Sequence, residues 1–482
     1  MILLKILIAV LAVIAAVAAV CVINAVRLKA KPAKNAEHKK EFDDDTAVDR
    51  FCEILRKKTV WPRNGEIDYA EFDAFLPLLK ELYPDAFSVL EVNTINNYGI
   101  LLRWKGRNPE AKPYVLMAHY DVVEVDESKW NYPPFGAEIH DGSVYARGAI
   151  DTKCIISAEL EAVTYLLKKG FEPESDIWFS YTNNEETGGD TTPAVVEFFK
   201  QNGVEPRFVL DEGGAIVNSP DLGVKDDLAM IGVCEKGICD TLVTAEAKPG
   251  HSSTPMPGDA PDLLVQCIED IRKIHFRPKL APAVRDMLKG IGAYCPFYLR
   301  LAIGNMWLFT PVIKTVMKHF GESNAVMHTT ICLTQLKGSD TINVIPATAQ
   351  AGYSVRIAPW DSVDKVLAKI QKAVGKKAKV TAEYSFEPSP VSDYKCREFD
   401  ILKNTINTVY PDVGISPMIM TGGTDSKHFA KISRNVYRFA GFRFTSENLA
   451  GMHGNNESLD VKAYLDGIDF YIELIRNFNT EV

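Results

Sequence analysis

Three short apolar runs, rich in branched and aromatic residues, each lead into an acid or a histidine. Tyr114-Val115-Leu116-Met117-Ala118 leads to His119, Ile177-Trp178-Phe179-Ser180-Tyr181-Thr182 to Asn183-Asn184-Glu185-Glu186, and Phe208-Val209-Leu210 to Asp211. Runs of this length and composition read as strands of a sheet covered on both faces, which makes the fold class α/β. Open sheets of that class place their ligand crevice beyond the carboxyl ends of the strands. Asp151, in a turn punctuated by Gly148, and the late His453, between Gly451 and Gly454, extend the set. Two histidines with a surplus of carboxylates, converging at strand ends, point to a hydrolytic metal site.

The chain has 482 residues, enough for two or three domains. A formal net charge of −9 argues against a nucleic-acid partner, which requires a basic face. Nine cysteines, with no C-x-x-C pair and no zinc-finger spacing, read as reduced thiols in the core and not as a disulfide framework.

The N-terminus differs from the rest. Ile6 to Val26 is almost wholly apolar and makes about 32 Å of helix, the thickness of a bilayer core. A cleaved signal peptide is the rival reading, but the length favours an uncleaved single-span membrane anchor. Arg27, Lys29, Lys31, Lys34, Lys39 and Lys40 follow the span and only Lys5 precedes it, a bias that places the catalytic body on the cytoplasmic side.

Residues 1–45 therefore read as anchor and tether, the tether being the Lys- and Asp-rich stretch 30–45 around Pro32. Globular sequence starts near Thr46 and its character changes near Gly232. Beyond that point Asp240 to Ala245 alternates, Ala260 to Ile274 is helical and Ala325 to Leu336 is strand-like. Ala347 to Ile357 then alternates strictly, Val363 to Val374 is helical and Val380 to Tyr384 is a strand. This β-α-β-β-α-β order predicts a ferredoxin-like α+β insert over 233–386. The catalytic domain is then discontinuous, 46–232 and 387–482, because His453 has to join the other candidate ligands. Within the insert, Leu301 to Ile313 is apolar yet too short to span a bilayer. It reads as a packed insertion, or as a membrane-dipping or acyl-binding surface.

Each candidate has a structural reading beside its chemical one. On a strand His119 and Asp121 share a face, so the Asp121 carboxylate can hold the ring nitrogen that a metal does not use; a buried structural pair has the same pattern. Asp151 can bridge two cations through its two oxygens, or simply cap the helix that follows. Glu185 and Glu186 would repel each other in a solvated loop. With a cation, one can ligate while the other accepts a proton from water whose pKa the metal lowers to about 7. His453 alone would more often be structural. The set is stronger than its members.

The stretches Met117-Ala118-His119-Tyr120-Asp121, Arg147-Gly148-Ala149-Ile150-Asp151, Asn184-Glu185-Glu186-Thr187-Gly188-Gly189 and Leu210-Asp211-Glu212-Gly213-Gly214 together resemble the M20 metallopeptidase family. So do Pro249-Gly250-His251-Ser252-Ser253, Asn343-Val344-Ile345-Pro346, Gly422-Gly423-Thr424-Asp425 and the His453 region. Trp130 with Pro133-Pro134-Phe135 is similar to the carboxypeptidase S and N-acyl-amino-acid hydrolase branch. The resemblance covers nearly everything after the tether. It implies a zinc-peptidase-type catalytic domain with a mixed central sheet, whose insert serves as a lid or dimerisation domain. It implies two zinc ions held by His119, Asp151, Glu186, Asp211 and His453, with Asp151 bridging, and Glu185 as general base and proton donor. Asp121 would orient His119. His251 would stabilise the oxyanion, in many relatives from the other subunit of a homodimer. Asn343, Arg356, Gly422, Gly423 and Thr424 would receive the carboxylate of a peptide or small-molecule substrate. The reaction implied is cleavage of an amide next to a free α-carboxylate, with dipeptidase or small-molecule deacylase activity as the alternative. A silent binding protein would have lost one of these positions, and all are filled. Thr152 departs from the acidic or Met residue usual after the bridging Asp, and a cis bond between Asp151 and Thr152 is implied.

Overall fold

The three apolar runs lie side by side and point the same way. In the computed structural model, which describes residues 1–30, 40–42, 44, 46–62, 65–218, 223–224 and 226–479, they form the parallel centre of a nine-stranded mixed sheet. The strand order is Leu90–Ile95, Gly99–Trp104, Ile177–Thr182, Tyr114–His119, Phe208–Asp211, Val436–Arg438, Leu228–Glu235 and Gly414–Met420, and Ile216–Val217 adds beside Leu228–Glu235. Most of the expected tether lies outside the described residues, at 31–39, 43 and 45.

The central strands are apolar throughout because both faces are covered. Tyr114, Leu116 and Ala118 pack against helices Lys153–Lys168 and Val461–Asn479. Val115 and Met117, one position out of phase, meet Val195, Val196 and Phe199 of helix Thr191–Gln201. All six residues of Tyr114–His119 and of Ile177–Thr182 are buried.

A second sheet has four antiparallel strands in the order Thr330–Lys337, Thr348–Ile357, Gly237–Glu246, Lys379–Phe386. With helices Ala260–Arg272 and Val363–Val374 this is the β-α-β-β-α-β arrangement read from the sequence. Ala349, Ala351, Tyr353, Val355 and Ile357 form its buried face against those helices. The first strand after the expected boundary at 232 still belongs to the large sheet, since Leu228–Glu235 runs through it.

The apolar stretch inside the insert is helical, as Phe297–Gly304 and Met306–Met317. Together with helix Pro282–Gly292 it packs toward the large sheet, where Val284, Met287 and Ile313 meet Cys234 and Ile419. One long apolar helix, Ile2–Leu28, stands at the N-terminus. All nine cysteines are free; seven are buried as small packed residues, whereas Cys332 is exposed and Cys396 half-buried.

Candidate metal centre

Parallel alignment of the three central strands brings His119, Glu185, Glu186, Asp211 and Glu212 to one sheet edge. His119 directs Nε2 into this edge, 3.0 Å from Asp151 Oδ1 and 3.5 Å from Glu212 Oε1. Its Nδ1 lies 2.9 Å from the Asp121 carbonyl oxygen and 3.4 Å from Asp121 Oδ1. A carbonyl only accepts, so Nδ1 keeps a proton and a neutral ring offers its Nε2 lone pair to the site. The contact expected from the Asp121 side chain is thus made mainly by its backbone, because the strand ends at His119. The Asp121 carboxylate accepts instead from the N–H groups of Glu185, at 3.2 Å, and Glu186, at 3.0 Å. Asp121 therefore ties the histidine strand to the paired glutamates.

Asp151 stands between two imidazoles. Its Oδ2 is 2.8 Å from His453 Nε2, and Glu186 Oε2 lies 3.1 Å from the same nitrogen. The donors fall into two groups of three that share Asp151: His119, Asp151 and Glu212; and Asp151, Glu186 and His453. Imidazole and carboxylate donors in two triads suit borderline divalent cations such as zinc.

The electrostatics agree with that chemistry. Burial, and after it the charge of neighbouring carboxylates, pushes Glu212 up to about 8 and holds Glu185, Glu186 and Asp211 above the usual carboxyl range. Burial acts on Asp151 in the same direction, but His119 and His453 outweigh it and hold that carboxyl low. Donation from its ring to the Asp151 and Glu186 carboxylates raises His453 to about 10. For His119 burial opposes the proton, while Glu212, Asp121 and Asp151 hold it on. Divalent cations held by these residues would take the place of those protons and relieve the crowding of acids.

The carboxylate expected from Asp211 is supplied in this geometry by its neighbour Glu212. Successive residues at a strand end face opposite ways. The Asp211 Oδ2 accepts from the Ser426 N–H at 2.8 Å, and Asp211 stands outside both donor triads.

The other turn residues are fixed by a group the sequence reading passed over. Glu457 is fully buried and pairs with Arg147. It also accepts from the N–H groups of Gly148 (3.0 Å), Ile150 (2.8 Å) and Asp151 (3.2 Å), while Arg147 Nη2 donates to the Gly454 carbonyl at 2.6 Å. One carboxylate thereby locks the Asp151 turn to the His453 loop. Thr152 exchanges two 3.0 Å hydrogen bonds with the His119 backbone, which explains how a hydroxyl replaces the usual residue there. The Asp151–Thr152 bond is cis, as the resemblance implied.

A cleft of about 970 Å³ opens between this edge and the uncovered face of the four-stranded sheet. Glu185, Glu186 and His453 line it on one side, and Arg356, Gly422 and Gly423 on the other. Lys427, absent from the sequence reading, lines it as well, and Asp425, Glu185 and Glu235 keep it charged against the cost of burial. Thr424 is buried behind the glycines, where its hydroxyl donates to Glu235 at 2.9 Å. His251 and Asn343 are not brought to the cleft of their own chain. They sit on an exposed two-stranded arm, Gly250–His251 against Val344–Ile345, with the Ser252 N–H 3.1 Å from the Asn343 carbonyl.

The model of peptidase family M20/M25/M40 matches residues 115–477. The chain is 32% identical over 445 residues to a probable carboxypeptidase S-like 2 protein of Dictyostelium discoideum, spanning 90% of this chain and 86% of that one. It is 30% identical over 442 residues to the N-fatty-acyl-amino acid synthase/hydrolase PM20D1 of Xenopus tropicalis, again spanning 90% and 86%. Its fold is similar to the M20 family metallo-carboxypeptidase Sso-CP2 of Sulfolobus solfataricus, with a TM-score of 0.66 and 19% identity across 91% of this chain and 100% of that one. The chain belongs to peptidase family M20/M25/M40, as an enzyme on its carboxypeptidase S and N-acyl-amino-acid hydrolase branch.

Proposed function

We propose that this protein is a membrane-anchored di-zinc amidohydrolase that cleaves an amide next to a free α-carboxylate, in an N-acyl amino acid or at a peptide C-terminus. The observation that carries this reading is the pair of donor triads sharing Asp151, with the Glu185 carboxyl beside them and free of any described hydrogen bond. His119, Asp151 and Glu212 would hold one cation, and Asp151, Glu186 and His453 the other. When bound, such a pair supplies Lewis acidity for the scissile carbonyl and makes water acidic near neutrality.

The chain's own groups do the rest. Glu185 removes a proton from the attacking water and returns it to the leaving nitrogen as the C–N bond breaks. Asp121 fixes the backbone from which Glu185 and Glu186 project. Arg356 and Lys427 offer charge to the substrate carboxylate, joined by the N–H groups of the Gly422 loop. His251 is suited to the oxyanion of a second subunit's substrate, since its arm extends away from its own cleft.

For helix Ile2–Leu28 we favour a retained anchor over a cleaved leader. Its last turns pack on the body: Ala25 is fully buried, and Asn24 Nδ2 donates to Asn305 Oδ1 at 2.9 Å. A removable leader needs no such contacts.

The test is a panel of N-acyl amino acids and peptides, assayed on the full chain with and without chelator. Hydrolysis should stop on metal removal and return with zinc. Glu185→Gln should keep its metal and lose about 10²–10⁴-fold in kcat. Full activity in that variant, or after complete metal removal, would sink the mechanism.

A further inference from the structure

Helix Met306–Met317 is apolar on much of its outer side as well as its inner one, with Thr310, Lys314 and Thr315 as its polar residues. Met306, Ile313 and Met317 face the core. The outward side carries Trp307, Leu308, Val312 and Val316, all exposed; the last three, four residues apart, make a stripe, and Trp307 flanks it. A surface helix ordinarily turns polar residues outward, so this many exposed apolar side chains on one helix mark a surface that meets something other than water. Trp307 is 63% exposed, and Tyr298, on the preceding helix Phe297–Gly304, is 68% exposed. Among the described residues nothing covers the patch.

What lies beside it identifies its partner. The last two turns of Ile2–Leu28 dock on Phe297–Gly304, and the contact is polar as well as close. Asn305 Nδ2 donates to the Cys21 carbonyl at 2.9 Å, and the Ala30 N–H donates to the Ala293 carbonyl at 3.0 Å. Gly304 permits this approach, since a Cβ there would stand 3.2 Å from the Asn24 carbonyl. Docking therefore begins at Cys21 and leaves residues 2–20 bare. That bare stretch is about 28 Å long at 1.5 Å per residue, close to the roughly 30 Å of a hydrocarbon core. The body thus meets the N-terminal helix where the helix leaves the bilayer, and Trp307 is two residues from the Asn305 that makes the contact. Aromatic side chains concentrate at that depth. Lys314 and Lys318 sit on the same helix, as snorkelling cations do.

We infer that the outer face of Met306–Met317, with Tyr298, is a second membrane-contacting surface, lying in the plane of the bilayer that Ile2–Leu28 crosses. The inference rests on the anchor reading of that helix. At about 18 Å the segment is too short to span, so it beds in the interface and, with the docked end of Ile2–Leu28, fixes the orientation of the body over the lipid.

The full chain reconstituted into vesicles tests this. Brominated phosphatidylcholine should quench part of the tryptophan emission, and the quench should be lost in Trp307→Phe and return in Trp307→Phe/Val312→Trp. Trp307 open to acrylamide but untouched by the bromolipid would overturn the proposal. So would Trp307 shielded from both, with chains cross-linking through this face, because a second copy would then be the occupant. Alkaline carbonate extraction reports the anchor separately. A chain that is extracted yet still shows Trp307 quenched on added vesicles loses the anchor reading and keeps this one.

Discussion

The strands ending at His119, Thr182 and Asp211 are buried on both faces, whereas Thr348–Ile357 of the inserted sheet alternates buried and half-exposed residues along its length. In the first sheet a polar side chain has nowhere to go but the strand end. Acids and histidines therefore collect there, and their spacing follows from strand register and from buried clamps such as Glu457. In the second sheet each outward residue faces the cleft on its own, as Ser354 and Arg356 do. The covered sheet sets chemistry through groups that depend on one another. On the proposed reading the half-covered sheet would set specificity, through groups that can change singly.

The largest expected effect tests the covered edge. Glu212→Ala should lower metal affinity by more than the roughly 10–100-fold that loss of an outer-shell partner costs, because it removes a donor from one triad. Asp211→Asn should stay within that range, since Asp211 accepts from the Ser426 N–H and stands outside both donor triads. Metal content after dialysis, measured on both variants, decides between the two. Equal or reversed losses would return the ligand role to Asp211.

These neighbours also show where the sequence stops being legible. The strand ends, the insert's strand order and the buried face from Ala349 to Ile357 follow from apolar periodicity alone, because local pattern and tertiary burial agree. Asp211 and Glu212 cannot be told apart that way. Both are acids at a strand end, and the donor that claims one of them comes from Ser426, far along the chain. Glu457 carries no motif, and its partners lie about 300 positions earlier. Lys427 has an ordinary local context and becomes a cleft residue only when the Gly422 loop folds against the inserted sheet. The segment from Leu301 to Ile313 reads as one apolar run. It is two helices, broken at Asn305, whose side chain turns to the N-terminal helix.

A smaller effect is expected on the open face. Arg356→Met should raise KM about 10–100-fold, the equivalent of losing a charge-assisted hydrogen bond worth roughly 1.5–3 kcal/mol. Thermal stability and metal content should stay unchanged, because the side chain stands in the cleft and not in the core. A fall in kcat with KM unaltered would place Arg356 in the chemical step and blur the division between the sheets.

The smallest effect concerns the seam between the two sheets. His428 is buried, and its ring meets Phe386 of the inserted sheet edge-on at 5.0 Å. Burial, followed by the charge of Lys427, lowers its pKa from 6.5 to about 4. The unfolded chain therefore binds a proton near 6.5 that the folded chain refuses until about 4, so stability falls as pH drops through that window. The shift corresponds to up to about 3 kcal/mol. Crowded carboxylates at the metal edge, held above the usual carboxyl range, also shape the wild-type curve, so that curve alone does not isolate His428. The difference between wild type and His428→Phe does, because that variant keeps the ring packed on Phe386 and removes the titrating group. Urea midpoints from pH 7 to 4 should fall less steeply in His428→Phe, with little difference at pH 7, where the imidazole is neutral in both states. Parallel curves would mean that His428 takes up its proton in the folded chain without penalty. The seam would then be as open to water as the face it joins.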